Sequence, residues 1–461
     1  MSDDIDELLR LADQPQRPAD PEPESDKKPK TKADDKEGVP RVKADKYILA
    51  LYLALCVISI IELYSASSRE VQGGHIFAPI IRHCMMLAMG VCVCLGVSRL
   101  SLGTIRKLAI PFSIVSVGMG VYVLMFARAI NGALRSFSLF GIQIQPAEFL
   151  KLSAVLTIAY FTAKNQEKGG GVTDKGVIWS AVAVVVFSGL LFSQGLTNTL
   201  LLMAISCSMM LIAGVQWRKF LMVVVIYGLL GGCGVAYKSM SDKGATTVED
   251  IVYNQDGDNE ARSINRIVTW RSRMARFFES DKYNQPITSD NRQEMYSFMA
   301  QANGGVFGVF PGNSRETARL PLAFSDYIYS IIIEDLGLVG GFVVLIIYLS
   351  LLGRAGALAW RCDRVFPALL MLGIAVMITF QALFHMAIVT GVFPVSGQPL
   401  PMISKGGTSI LVTSLGFGIM LAVSRYVART QMAADKGKDH AEGDELPSEL
   451  NAVNPSQITE K

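Results

Sequence analysis

Long apolar segments separated by short polar connections dominate the chain between residues 47 and 428. A helix that crosses a bilayer needs about 20 consecutive apolar residues. Ten such segments are present: 48–66, 76–97, 107–127, 147–164, 176–193, 197–214, 219–237, 327–352, 366–389 and 409–427. The fifth and sixth segments are separated by only a few residues, so their boundary is the least defined. The pattern predicts an all-α polytopic membrane protein with ten transmembrane helices.

Two polar ends and one long loop interrupt this pattern. Residues 1–46 and 429–461 contain too few apolar residues to bury a core, so both are predicted to be disordered tails. The first tail also lacks the apolar core of a signal peptide, so we expect the first apolar segment to anchor the chain. Residues 240–322 form a large loop between the seventh and eighth segments of the predicted 47–428 membrane domain.

The composition excludes an ordinary soluble enzyme. Of the 461 residues, 51% are hydrophobic and 18% are charged, and the mean hydropathy is +0.36. The seven cysteines lie in apolar segments or at a segment end, so they are predicted to be small core residues without disulfides. The four histidines are scattered, which argues against a histidine-based metal site. We expect no nucleic-acid partner.

Basic residues concentrate in alternate connections, which predicts the orientation of the chain, since short positively charged loops stay in the cytoplasm. They are Lys27, Lys28, Lys30, Lys32, Arg41, Lys43 and Lys46 in the first tail, then Arg99, Arg106 and Lys107, then Lys164, Lys168 and Lys175, then Arg218 and Lys219, then Arg354, Arg361 and Arg364, and finally Arg425 and Arg429. Both termini are therefore predicted to be cytoplasmic, and the loop 240–322 to be extracytoplasmic.

The fourth segment begins with two opposite charges, although an ionisable side chain inside a membrane is costly. Glu148 and Lys151 are three residues apart, so they share one helix face and can form an ion pair. Such a pair is either a purely structural device or part of a site. A lone Arg135 lies in the short connection before this segment.

Two further charges mark the eighth and tenth segments. Asp326 lies where the chain re-enters the membrane, and its alternative role, shared with Ser325, is to cap the helix that follows. Lys405 belongs to the proline- and glycine-rich stretch 397–409. Irregular backbone near a membrane is tolerated where protein or water surrounds it, so this stretch is predicted to line a cavity.

The predicted topology places all five of these charges at the outer membrane face. Three of them, Arg135, Lys151 and Lys405, are cations, which suits an anionic substrate delivered by the membrane, and one carboxylate is available as a base. The alternative is that these charges merely flank the spans. The outer loop adds Arg262, Arg266, Arg271, Arg273 and Arg276, which either bind phosphate or form an ordinary basic surface.

Several short motifs occur in a characteristic order along the ten segments. They are Tyr64–Ser67, Asn131–Ala133 with Arg135, Gln145–Glu148 with Lys151, Ser325–Tyr327, Glu334–Gly337 and Pro394–Ser409. Over most of residues 45–428 the chain resembles the SEDS family, the FtsW and RodA group of bacterial peptidoglycan polymerases. The form of Ile403–Ser409 is most similar to division-type members from Bacteroidetes.

The resemblance implies an inverting glycosyltransferase that polymerises lipid II into glycan strands at the outer face of the cytoplasmic membrane during septal wall synthesis. It implies a class B penicillin-binding protein and other divisome proteins as partners. Asp326 matches the family's essential aspartate and is the expected catalytic residue. Glu148 and Lys151 match the family's pair in the fourth span, and with Arg135 and Lys405 they are expected to bind substrate. A divalent cation, Mg²⁺ or Mn²⁺, is implied by the resemblance alone, and its ligands are unknown.

The sequence departs from the family pattern at several positions. Serine replaces tryptophan at Ser136 and threonine at Ser325, histidine replaces asparagine at His385, and lysine replaces tyrosine at Lys405. The stretch 194–199 lacks the aspartate that is common there. Two other functions stay open at this point: a lipid II flippase, which needs no base, and a non-catalytic division scaffold, in which the charges only contribute to packing.

Overall fold

A computed structural model describes residues 42–67, 77–126, 137–139, 142–167, 171–192, 194–241, 273–279, 283, 285–288, 291–320 and 323–435. Within these residues the elements are α1 (Lys46–Ser67), α2 (Phe77–Ser98), α3 (Leu102–Phe126), β1 (Phe137–Leu139), β2 (Ile142–Ile144), α4 (Pro146–Lys164), α5 (Asp174–Phe192), α6 (Leu196–Ile212), α7 (Trp217–Ser241), α8 (Arg292–Gly304), α9 (Ile328–Trp360), α10 (Val365–Val389) and α11 (Gly407–Asp435). The predicted helical class is confirmed.

Every predicted apolar segment coincides with a helix, from α1 to α7 and from α9 to α11. Seven of the described helices are long and apolar enough to cross a membrane: α1, α2, α3, α5, α9, α10 and α11. Helix α6 is apolar but shorter, at 17 residues, and α4 carries the buried Glu148–Lys151 pair. The count of ten spans therefore stays a prediction.

Helices α10, α11 and α4 form the centre of the bundle. In α10 and α11, 89% and 83% of the apolar window is buried, against 22% in α2. Helix α4 is enclosed along nearly all of its length, from Pro146 to Ala163. Apolar side chains on α1, α2, α3, α5 and α7 are widely exposed, as expected of helices that face lipid. The polar side chains of Glu148 and Lys151 on α4 and of Gln381 and His385 on α10 consequently lie within protein.

The connections that the charge pattern assigns to the cytoplasm lie together at one end of the bundle. The backbone N–H of Asp45, before α1, donates to Ser424 Oγ on α11 over 3.0 Å. Arg354 Nε on α9 donates to the Asp45 carboxylate over 3.1 Å. Arg425 on α11 donates to the carbonyl of Ser98, at the end of α2, over 2.9 Å. We call this end of the bundle the basic end and the opposite one the site end.

Two features differ from the sequence prediction. Strands β1 and β2 form an antiparallel hairpin, with Phe137 opposite Ile144, and strands this short leave no periodic signal. Helix α11 continues to Asp435, seven residues past the predicted tail boundary at 428, because residues 429–435 are mostly good helix formers and include no glycine or proline. Residues 1–41 and 436–461, most of both predicted tails, lie outside the described residues.

Helix α9 bends at Gly337. Gly337 has φ 72° and ψ −175° within α9, a conformation that is open almost only to glycine. At this bend, backbone carbonyls of α9 accept hydrogen bonds from the segment that follows α8. Val309 N–H donates to the Glu334 carbonyl and Phe310 N–H to the Asp335 carbonyl, both over 2.9 Å. The glycine-rich part of the outer loop thus packs against the kinked helix.

Candidate active site

The Glu148–Lys151 ion pair predicted from the sequence is present in α4. Lys151 Nζ lies 2.8 Å from Glu148 Oε1 and donates to Gln381 Oε1 on α10 over 2.7 Å. The Gln381 amide also donates to the carbonyl of Pro399 over 3.4 Å. The pair therefore connects α4, α10 and the proline-rich stretch 397–409.

Burial restricts what this pair can do directly. Lys151 is 0% exposed and Glu148 is 5% exposed, so neither side chain offers a surface to a substrate in this conformation. A buried charge is tolerated when its partner and further hydrogen bonds satisfy it, as Gln381 does here. The contacts of this pair hold α4, α10 and the stretch 397–409 in position. Direct substrate binding by Glu148 and Lys151 stays a prediction.

Asp326 lies at the site end, in the turn that precedes α9. Its side chain is half-buried, and Oδ1 accepts a 2.8 Å hydrogen bond from Ser325 Oγ. The alternative role as a helix cap is not seen, since the residue before α9 is Tyr327 and no side chain caps that helix end. Asp326 is thus a half-buried carboxylate that accepts a hydrogen bond from the Ser325 hydroxyl, a suitable arrangement for a general base.

Lys405 lies beside the Asp326 turn. Its backbone N–H donates to the Phe324 carbonyl over 2.8 Å, and its Nζ lies 4.1 Å from the centre of the Phe324 ring. Ser404 Oγ donates to the Ser325 carbonyl over 2.7 Å. These contacts fasten the stretch 397–409 to the residues around Asp326, although the two segments are far apart in sequence. Lys405 therefore lies in a segment that packs against the turn containing Asp326, and its role as a site residue stays a prediction.

The hairpin connects the same stretch to the start of α4. Thr408 Oγ1 donates to the Gln143 carbonyl in β2, and the N–H of Gln145 donates to Thr408 Oγ1 over 3.2 Å. Residues 127–136 lie outside the described residues, so the predicted role of Arg135 is untested. Of the five predicted site residues, four lie at the site end, around one irregular stretch.

A second polar chain at this end was missed by the sequence analysis. His385 Nδ1 pairs with the Gln398 carbonyl at 2.6 Å, and the Gln398 amide donates to Asn198 Oδ1 over 2.9 Å. His385 was noted only as a departure from the family pattern. Gln381 and Gln398 gave no signal, since a neutral amide carries no charge and its partner is distant in sequence.

An arginine from the outer loop also reaches the site. Arg273, which belongs to the basic run noted in the sequence, donates to the Val395 carbonyl over 3.2 Å. Its side chain thus lies against the segment that joins α10 to the stretch 397–409. Arg276 of the same run is also described, whereas Arg262, Arg266 and Arg271 lie outside the described residues.

Glu334 has a structural role in the described structure. Its carboxylate accepts hydrogen bonds from the Ser314 hydroxyl and from the N–H groups of Arg315, at 2.9 Å, and Glu316, at 3.3 Å. Burial raises the pKa of the neighbouring Glu316, although Arg319 favours its charged form. Glu334 is therefore occupied in holding the outer loop against α9.

A divalent cation has no ready-made protein cage in the described ranges. No group of three or more His, Cys, Asp or Glu side chains there has the geometry of a metal site. Magnesium sites often use one or two carboxylates together with substrate phosphates, and Asp326 is a half-buried carboxylate at the site end.

Sequence comparison relates the chain to proteins of cell-wall synthesis. The FtsW, RodA and SpoVE cell cycle protein family model matches residues 45–429. A probable peptidoglycan glycosyltransferase FtsW from Trichlorobacter lovleyi is 29% identical over 401 residues, covering 86% of this chain and 96% of the relative. Stage V sporulation protein E of Bacillus subtilis is 26% identical over 399 residues, covering 84% and 98%.

Solved structures share the same fold. A chain of a peptidoglycan synthase complex that coordinates polymerization and crosslinking matches with a TM-score of 0.61 and 23% identity, covering 83% of this chain and 98% of that one. The rod shape determining protein RodA of Thermus thermophilus matches with a TM-score of 0.57 and 22% identity, covering 84% and 98%. Together with the family match over residues 45–429, this likeness shows that the chain belongs to the FtsW, RodA and SpoVE family of cell cycle proteins.

Proposed function

We propose that this protein is a peptidoglycan glycosyltransferase that polymerises lipid II. The observation that carries the proposal is the position of Asp326, a half-buried carboxylate fastened to the Lys405 stretch at one end of a membrane bundle. Relatives across nearly the whole membrane region are named probable peptidoglycan glycosyltransferases.

In the proposed reaction, Asp326 is the general base. It accepts the proton of the 4-hydroxyl of the acceptor GlcNAc while that oxygen attacks the anomeric carbon of the donor MurNAc. The bond from the anomeric carbon to the pyrophosphate oxygen breaks, and undecaprenyl pyrophosphate leaves with the bonding electrons. Attack from the face opposite the leaving group inverts the anomeric configuration.

Cationic groups at the site end suit the charge that develops on the leaving pyrophosphate. Lys405 is half-buried, and its Nζ lies over the Phe324 ring, beside the Asp326 turn. We assign it, together with Arg135, to the pyrophosphate. The Glu148–Lys151 pair acts mainly by positioning the stretch 397–409. Gln381 makes this link, since it accepts a hydrogen bond from Lys151 and donates one to the Pro399 carbonyl.

The proposal retains a divalent cation, Mg²⁺ or Mn²⁺, as a companion of the pyrophosphate rather than as a resident of a protein cage. Such an ion supplies charge neutralisation when it binds to phosphate oxygens. In a polymerisation assay, chelation is expected to reduce product, and added Mg²⁺ or Mn²⁺ to restore it. Unchanged polymer in excess chelator would remove the cation from the proposal.

The proposed setting is the bacterial inner membrane at the division septum, with both termini in the cytoplasm and the site end outside. The proposed partners are lipid II, a class B penicillin-binding protein and other divisome proteins. Support for a partner comes from the fold match to a chain of a peptidoglycan synthase complex, and support for orientation comes from the basic residues of the basic end.

The rival function, a lipid II flippase, predicts a different product. Purified protein should be incubated with lipid II, with and without a cognate class B penicillin-binding protein, and the glycan products separated by length. A polymerase yields glycan strands of several disaccharides, whereas a flippase or scaffold leaves lipid II monomeric. Transport of labelled lipid II across vesicles without any polymer would favour the flippase.

A further inference from the structure

A cleft at the basic end holds three arginines that the proposed reaction does not use. It is formed by the turn between α2 and α3, with Ser98, Arg99 and Leu102, and by the last turns of α11, with Arg425, Tyr426 and Arg429. The two segments are distant in sequence, and the 2.9 Å hydrogen bond from Arg425 to the Ser98 carbonyl joins them. The cleft is therefore a folded feature and not a run of adjacent basic residues.

The charge inside the cleft is unbalanced. Its lining contains three arginines and, among the residues described, no carboxylate. Asp363, which contacts the lining residue Tyr426, accepts a 2.8 Å hydrogen bond from the Tyr426 hydroxyl and lies 3.6 Å from Arg364. That carboxylate is thus already engaged by Tyr426 and Arg364.

Among the described residues, Arg425 makes no ion pair with a carboxylate. One guanidinium nitrogen is fixed by Ser98, while Nε is buried without a hydrogen-bond partner. Its charged neighbours are Arg99 and Arg429, both of the same sign. A buried donor beside like charges is costly unless an acceptor of opposite charge accompanies it.

We infer that this cleft binds the phosphate of an anionic membrane phospholipid. Arginine forks match phosphate oxygens, and basic pockets at the ends of transmembrane helices are typical headgroup sites. Leu95 and Leu100, which flank the cleft, are exposed and offer an apolar surface to an acyl chain. This surface favours a lipid over free phosphate. The inference does not depend on the proposed polymerase activity.

Native mass spectrometry of the full-length protein in detergent tests the inference with phosphatidylglycerol and phosphatidylethanolamine as probes. We expect selective retention of phosphatidylglycerol by the wild type. The double variant Arg425→Gln, Arg429→Gln should weaken that retention roughly tenfold or more, because each basic residue near an anionic headgroup contributes appreciably. The matched control is Arg361→Gln, an exposed arginine at the same end but outside the cleft, which should retain the lipid.

A second variant guards against misfolding. Arg99 is exposed and does not make the Ser98 hydrogen bond, so Arg99→Gln should fold normally and still lose affinity for phosphatidylglycerol. Equal retention of both lipids by the wild type, or unchanged retention by a folded Arg99→Gln and by the double variant, would overturn the inference. Stabilisation against heating by inorganic phosphate but not by phosphatidylglycerol would assign the cleft to a free anion and overturn it as well.

Discussion

The Ser325 hydroxyl donates a 2.8 Å hydrogen bond to the Asp326 carboxylate. Removing the hydroxyl in Ser325→Ala should lower the rate of lipid II polymerisation about tenfold, because a hydrogen bond to a charged group is typically stabilising by about 1.5–3 kcal/mol. Ser325→Thr keeps the hydroxyl and should retain most of the activity. Equal rates for the alanine and threonine variants would show that this hydrogen bond does not matter.

The buried pair on α4 permits a test that separates stability from activity. Lys151→Met leaves the Glu148 carboxylate buried without its cation, which should cost about 3–5 kcal/mol of folding free energy. Adding Glu148→Gln removes the orphaned charge and should restore much of the thermal stability. Polymerisation should stay low in the double variant, because the 2.7 Å bond from Lys151 to Gln381 is still missing. Full activity there would make the pair purely structural.

Residue-scale prediction from sequence succeeded where spacing was informative. Glu148 and Lys151 are one helical turn apart, so their pairing followed from geometry alone. Gln381 is 230 residues from Lys151 in the sequence. A single amide in an apolar segment belongs to no spacing pattern, so the sequence did not indicate this contact. The same reason explains why the pairing of His385 with Gln398 was missed.

At the scale of the element, Gly337 determines how α9 receives the outer loop. A Cβ at this position would lie 2.1 Å from the Val306 carbonyl oxygen, in a backbone conformation that costs non-glycine residues of order 1–3 kcal/mol. Gly337→Ala should therefore lower the thermal unfolding midpoint of the purified protein markedly.

The matched control is Gly353→Ala in the same helix, where an added Cβ meets nothing within 4 Å. This substitution should be neutral or stabilising by roughly 0.5–1 kcal/mol, since glycine is a poor helix former. Similar midpoints for the two variants would contradict the role assigned to the kink.

Helix prediction from the apolar pattern was reliable because ten segments repeat one physical requirement, the thickness of a bilayer. The pattern failed at elements that this requirement does not govern. The hairpin β1–β2 and helix α8 lie in connections, where the strands are three residues long and the helix has few apolar positions. The bend at Gly337 lies inside one continuous apolar segment, so the apolar pattern marked neither the bend nor the loop that packs against it.

At the scale of the whole molecule, the account requires the two ends of the bundle to face opposite compartments. A membrane-impermeant maleimide should label Ile287→Cys in intact cells, since this exposed residue belongs to the outer loop. Lys43→Cys, exposed near the start of α1 at the basic end, should be labelled only after lysis. The parent protein is the control for its natural cysteines. The reverse pattern of labelling would invert the topology.

The central claim is that Asp326 is the base of a glycan polymerase. The direct measurement is the amount of glycan strand that the purified protein makes from lipid II with its class B penicillin-binding protein, compared for the wild type, Asp326→Asn and Asp363→Asn. Asp363 is an aspartate at the basic end, bonded to Tyr426, and its variant should polymerise like the wild type. We predict that Asp326→Asn, folded to the same thermal midpoint, makes no detectable polymer. Wild-type polymer from Asp326→Asn would contradict the account.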